Sequence, residues 1–347
     1  MTALHQSKTI NLALQGGGAH GAFTWGVLDR LLEEDRLVIE AISGTSAGAM
    51  NGAMLKTGFL DGGREGARAQ LDRFWSSVRR TARANVNPLV DWLALFSGDT
   101  ADAVEKLTHE RGSLLRDSFS RSLSPYDWNP LNINPLKDLL ESLINFDHVC
   151  RACYPHLFVS ATNVRTGKIK VFSGDELSID AILASACLPD LFQAIEIDGQ
   201  SYWDGGFMGN PALFPLFYRT GCRDIVIVHV NPIERPEIPR SARDIQNRTN
   251  EISFNSSLLS ELRAVAFVRR LIAEGKLAPG EMKGVLIHSI SDDPTMLELS
   301  ASTKISPKPG LLDRLQEAGR TAADDFLHQH WDRIGVEGTI DVRAILD

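Results

Sequence analysis

The run Leu37-Val-Ile-Glu-Ala-Ile42-Ser43-Gly44-Thr45-Ser46-Ala47-Gly48 passes from a β-branched apolar segment to a serine flanked by glycines. Residues 37–42 read as a strand released by glycine, and residues 46–57, rich in Ala, Met and Leu, read as a helix. Upstream, Ile10-Asn-Leu-Ala-Leu14 is another short apolar run, and it stops at Gly16-Gly17-Gly18. Phe23, Val27, Leu28, Leu31 and Leu32 then recur at helical spacing, which predicts a helix over 20–34. Strand, glycine turn, helix, strand, glycine turn, helix is the pattern of an α/β fold with a mostly parallel central sheet flanked by helices.

Gly44-Thr45-Ser46-Ala47-Gly48 between a strand and a helix has the form of a nucleophile elbow. The glycines leave room for a tight strand-to-helix turn, which presents the Ser46 hydroxyl at the sheet's edge. The helix N-terminus supplies free N–H groups and a partial positive charge beside it. A packing glycine pair with a capping serine would have the same spelling, so the context carries the reading.

Two readings fit Gly16-Gly17-Gly18-Ala19-His20-Gly21. Successive backbone N–H groups, uncovered because glycine has no side chain, can receive a tetrahedral oxyanion. Alternatively, Gly16-x-Gly18-x-x-Gly21 has dinucleotide-loop spacing, with Glu40 following as a ribose-binding acid, which would make the chain a nucleotide-binding oxidoreductase. The serine elbow directly after Glu40 favours the first. Further on, Ala194-Ile-Glu-Ile197 and Gln200-Ser-Tyr-Trp203 flank Asp198-Gly199, a strong two-residue hairpin signal. That leaves Asp204 at a strand end before Gly205-Gly206, where a carboxylate can orient or deprotonate a serine.

Taken together and in this order, the glycine loop 16–21, the elbow 44–48 and Asp204-Gly205-Gly206 resemble the patatin-like phospholipase family, and Asn210-Pro211 matches the Asn-Pro that usually follows that family's aspartate. The resemblance covers about residues 8–230. It implies Ser46 as nucleophile, Asp204 as base, Gly16, Gly17 and Gly18 as an oxyanion hole, and Gly21, Gly44, Gly48 and Gly205 as supports of the motifs. The implied activity is hydrolysis of carboxylic esters of lipids, of phospholipase A or lysophospholipase type, with no metal and no cofactor. A broad-specificity carboxylesterase or acyl-thioesterase would use the same dyad. In one respect the chain departs from the family, whose loops usually carry Arg or Lys where this chain has His20. Histidine is mostly neutral at pH 7. An aspartate near its usual pKa of about 4 is a weak base at that pH, so the glycine loop is expected to supply much of the rate.

The remaining chain is expected to complete a single domain over 1–347, with a core over about 8–230. Between residues 60 and 150 the strand–helix alternation lapses. Helical stretches near 64–79, 88–96 and 135–144 suggest a helical cap or insertion there. Strands are expected at 156–161, 169–172 and 224–230, with Thr166-Gly167 as a turn. A mainly helical C-terminal segment over about 240–347 would hold one long helix or two from 241 to about 276, a last strand at 285–288 and a closing helix over 311–332. Cys150-Arg-Ala-Cys153, with His148 and His156 nearby, has metal-like spacing but no matching second pair. His229 follows Ser46 and Asp204 in the order of an α/β-hydrolase triad. Its apolar strand also suits a core residue. The apolar stretch Asn87–Phe96 could touch a membrane interface, line an acyl pocket or close the cap.

With 36 Lys and Arg against 44 Asp and Glu, the net charge of −8 makes nucleic acid a poor partner. The 43% apolar residues suffice for a sizeable core. Four cysteines in 347 residues do not make a disulfide scaffold. Neither a signal peptide nor a run of roughly 18 apolar residues is visible. The expectation is a cytoplasmic protein that meets a lipid or acyl-ester substrate by transient contact with a membrane surface.

Overall fold

The computed structural model describes residues 7–83, 124–132, 134–146, 149, 154–278, 280–299, 303–304, 307 and 310–346. Asn87–Phe96, His148, Cys150 and Cys153 lie outside them. Among the described residues, eight strands form one sheet: β1 (Lys8–Leu14), β2 (Leu37–Gly44), β3 (His156–Asn163), β4 (Ile169–Ser173), β5 (Ile195–Ile197), β6 (Gln200–Asp204), β7 (Asp224–Val228) and β8 (Leu286–Ile290). Their order is β5-β6-β3-β2-β1-β7-β8, with β4 paired to β3. The five central strands β3-β2-β1-β7-β8 run parallel, while β4 and the β5–β6 hairpin are antiparallel.

Period-two alternation along these strands sends side chains to two cores. Leu12, Leu14, Ile42, Val226 and Val228 pack with helices α1 (Gly21–Leu32), α2 (Ala47–Arg83) and the closing helix Leu311–His330. Ala13, Ala41, Phe158, Ile225, Ile227 and Ile287 face the opposite core, with Leu216 of the short helix Phe214–Tyr218 and with Leu258, Leu262 and Val265 of the long helix Ala242–Ala273. Both sheet faces are covered, and this is why the central strands read as continuous apolar runs. The fold is thus the α/β, mainly parallel, helix-flanked architecture that the sequence implies. Helix α2 is interrupted at Gly62 and Gly63, whose dihedrals are not helical, so the predicted helices over 46–57 and 64–79 are its two arms. Among the described residues, no helix is long and apolar enough to cross a membrane.

The turn between β5 and β6 has Asp198 at φ 51° and Gly199 at φ 71°. Two left-handed residues in succession are what a type I′ hairpin requires, and Asp-Gly is among the pairs that adopt it most readily.

Two helices, α1 and α3 (Leu311–His330), cross where both carry glycine. A Cβ on Gly26 would lie 1.9 Å from the Gln316 carbonyl oxygen, and one on Gly319 would lie 2.0 Å from the Phe23 carbonyl oxygen. Gly26→Ala must therefore push two backbones apart. Overpacking of this kind typically costs about 1–3 kcal/mol, which predicts a melting temperature lower by roughly 1–4 °C for a chain of this size. Calorimetry together with turnover per folded molecule checks it. An unchanged melting temperature would mean that the helices are not in this contact.

Candidate active site

Strand register brings the three motifs to one edge of the sheet. In the β1–β2 ladder Leu14 pairs with Gly44, so the segments that follow, 16–18 and 44–46, leave side by side. Gly44 pairs with Val159 of β3, and Ala161, two residues further on, pairs with Asp204 at the end of β6. Asp204 thus arrives from an antiparallel strand at the edge where the parallel strands end. In open α/β sheets this carboxyl edge is where ligands bind.

At the elbow, Ser46 sits at φ 53°, a left-handed conformation that costs a non-glycine residue about 1–3 kcal/mol. The turn is so tight that a Cβ on Gly44 would be 2.6 Å from the Gly48 carbonyl oxygen. One on Gly48 would be 2.2 Å from that of Leu14. Ser46 is held by its own backbone. Its N–H donates to Ser185 Oγ at 2.9 Å, and its carbonyl accepts from Met50 N–H at 3.1 Å. Thr45 Oγ1 ties the turn to the Gly209 carbonyl at 2.6 Å.

The glycine loop lies against this turn. A Cβ on Gly16 would be 2.8 Å from Ser46 Cβ. The Gly16 N–H donates to Asn210 Oδ1 at 2.6 Å, so it is already spoken for. Among the described residues, the N–H groups of Gly17 and Gly18 have no such partner. Gly18 is left-handed at φ 57°. His20, the last residue before α1, is buried, and its Nε2 lies 2.8 Å from Thr303 Oγ1. Burial, with the nearby charges of Lys304 and Arg235, lowers its pKa to about 3, so the imidazole is neutral.

Asp204 is 1% exposed. Its Oδ1 accepts from Gly206 N–H at 2.7 Å, its carbonyl accepts from Thr162 Oγ1 at 2.8 Å, and its N–H donates to the Cys187 carbonyl at 2.8 Å. Gly205 follows because a Cβ there would be 2.1 Å from the Ser160 carbonyl oxygen. Burial raises the Asp204 carboxyl to about 7, against hydrogen bonds from the Gly206 N–H and the Ser46 hydroxyl that favour its ionised form. The sequence-based expectation of an aspartate near 4 is therefore corrected: an enclosed carboxyl titrates near neutrality.

Other candidates fall elsewhere. His229, just past β7, is buried, and desolvation holds it down to about 4. Its N–H donates to the Ile290 carbonyl at 3.0 Å. Glu40, in β2, accepts from the Gly221 and Cys222 N–H groups at 2.7 Å each, so its carboxylate is occupied away from the glycine loop. Sequence reading overlooked Ser185, Gln15 and Asn231. Gln15 Oε1 accepts from the Val230 and Asn231 N–H groups at 3.0 Å, tying the loop after β1 to the loop after β7. A buried Gln directly before three glycines is the one local signal that could have pointed to it.

Residues 12–217, more than half of the chain, match the family model for patatin-like phospholipase. Two solved structures are similar: VipD from Legionella pneumophila, at 17% identity, 94% of this chain, 67% of that chain and a TM-score of 0.39, and the type III effector protein ExoU, at 16% identity, 93% of this chain, 53% of that chain and a TM-score of 0.35. No curated protein sequence gives a significant match.

Proposed function

The chain belongs to the patatin-like phospholipase family, a family of lipid acyl hydrolases, and from that premise we propose that Ser46 and Asp204 form its catalytic dyad and cleave the carboxylic ester of a lipid. The observation that carries the reading is that strand register brings the strained Ser46 turn and the buried Asp204 to one edge of the sheet, where the carboxyl is raised to about 7 and the Ser46 hydroxyl favours its ionised form. A general base works best when its pKa lies near the working pH.

Ser46 Oγ attacks the ester carbonyl while its proton passes to Asp204. The carbonyl oxygen becomes an oxyanion, which the Gly17 and Gly18 N–H groups receive. Gly16 shapes the loop through Asn210. Collapse of the tetrahedral species expels the alcohol oxygen, which takes the proton from Asp204. Water then attacks the acyl-serine, giving its proton to Asp204, and the acid leaves as Ser46 recovers its hydrogen. The substrate we favour is a phospholipid or lysophospholipid, met by transient contact with a membrane surface. A smaller ester or an acyl thioester would pass through the same steps.

A fluorophosphonate probe followed by peptide mass spectrometry tests this. One adduct per chain on Ser46 is expected. Failure to label a folded sample, or labelling at another serine, would overturn the assignment. A panel of phospholipid, lysophospholipid, short ester and acyl-CoA then ranks the substrates.

A further inference from the structure

The glycine loop has no cation of its own, since His20 is neutral. One reaches it from the far end of the chain. Thr303, 283 residues beyond His20, meets that imidazole. The next residue, Lys304, presses its backbone on the loop, for its carbonyl oxygen would lie 2.3 Å from a Cβ on Gly18. Only glycine, left-handed and without a side chain, leaves room for that approach. The Lys304 ammonium donates to Asn231 Oδ1 at 2.6 Å. Asn231 Nδ2 in turn donates to the Gly16 carbonyl at 2.7 Å and to Gln15 Oε1 at 3.3 Å. A cation on one side of the Asn231 amide and a loop carbonyl on the other fix which way that amide faces. The contacts sit at the carboxyl ends of the parallel neighbours β1 and β7, from which the chain goes on to opposite sides of the sheet, to β2 and to β8.

We propose that Lys304 is a positioning residue for the glycine loop: its ammonium, acting through Asn231, and its backbone, packed on Gly18, hold the Gly17 and Gly18 N–H groups in place and supply the positive charge that the loop lacks. This rests on the proposed catalytic role of the loop. The charged groups around the ammonium are Glu251 of the long helix Ala242–Ala273, with its partner Arg248, and Arg235 of the segment after β7; the titratable but neutral His20 also faces it. Glu251 is shared with two arginines, with Arg235 at 2.7 and 2.8 Å and Arg248 at 3.2 Å, so its charge is only partly available to the ammonium. Burial lowers Lys304 to about 8, with Glu251 opposing and Arg235 adding to the shift. The ammonium is therefore charged at neutral pH and lost a little above it. This puts an alkaline limb on turnover that no member of the dyad would produce.

The test compares wild type with Lys304→Met and Lys304→Arg on a soluble ester between pH 6 and 10, with melting temperature measured for each. Lys304→Met is expected to lower kcat by about 10- to 100-fold, short of the loss for deleting an oxyanion donor outright. KM should stay within about twofold, because the acyl and alcohol contacts are untouched, and the alkaline limb near 8 should vanish. Lys304→Arg should recover most of kcat and carry the limb beyond pH 10, since guanidinium stays charged there. The proposal is overturned if Lys304→Met keeps wild-type kcat, if its activity falls only in step with its folded fraction, or if the alkaline limb survives in a folded Lys304→Arg. Fluorophosphonate labelling of wild type separates the two ideas. Labelling at Ser46 with an indifferent Lys304 sinks this inference alone, whereas absence of labelling sinks the dyad.

Discussion

Ser46→Ala is expected to lower kcat by roughly four to six orders of magnitude while the protein stays folded and still binds lipid. The expected size follows from what is lost. Without the hydroxyl there is no atom to form the acyl-enzyme, and what remains is the residual rate that an oxyanion site and substrate binding provide by themselves. The fold should survive because the elbow is held by backbone groups: the Ser46 N–H to Ser185, its carbonyl to Met50, and the Thr45 hydroxyl to Gly209. Ser46→Gly makes the test sharper. It removes the same hydroxyl but relieves the left-handed strain at φ 53°, so it should be as inactive as Ser46→Ala and more stable by about 1 kcal/mol. A serine kept in strained backbone, when glycine would be more comfortable, is conserving something other than stability. If purified Ser46→Ala retains more than about a tenth of wild-type turnover, contamination having been excluded by labelling, the nucleophile lies elsewhere.

The motifs were legible in the sequence because each is spelled by close approaches of backbone. Gly44, Gly48 and Gly205 all sit where a Cβ would strike a carbonyl oxygen within about 2.6 Å, a demand only glycine meets. The β5–β6 turn was legible for the related reason that Asp-Gly accepts two left-handed residues. Sheet order needed slightly more: two apolar runs with their glycine releases imply parallel pairing, but the central position of β1 and the addition of β7 on its other side depend on packing. Features set by distant partners left no local trace. Ser185 reads as an ordinary helix-end serine until Ser46 N–H is placed against it, and Lys304 as a surface lysine until its carbonyl is seen on Gly18. The Asp204 carboxyl misled in the other direction. Sequence supplies its chemical type and hence a value near 4, whereas its burial, which raises it to about 7, is a property of what β3, β6 and the residues around Cys187 enclose.

Asp204→Asn is expected to reduce kcat by roughly 10²–10⁴-fold, the usual worth of a positioned general base. Asparagine keeps the size of the side chain and its bond to the Gly206 N–H but cannot accept the proton of Ser46. The pH profile identifies the cause. In wild type, kcat/KM should rise about tenfold per pH unit towards 7, as the Asp204 carboxyl ionises, before the alkaline fall assigned to Lys304. The residual activity of Asp204→Asn should lack that acid limb. Stability should move the opposite way. The unfolded carboxyl loses its proton near 3.8 and the folded one near 7. Between those values the unfolded chain binds fewer protons, so wild-type stability falls as pH rises. Asp204→Asn escapes this, and its melting temperature should exceed that of wild type at pH 8 by a margin that shrinks towards pH 4. A histidine triad predicts something else. The base would be an imidazole, His229→Ala would match the serine variant, and Asp204→Asn would act one step removed. Burial holds His229 near 4, too low to take a proton from serine effectively at neutral pH, so His229→Ala should cost some stability and leave the acid limb near 7 in place. If a folded His229→Ala instead loses as much turnover as Ser46→Ala, the base is histidine and Asp204 only orients it.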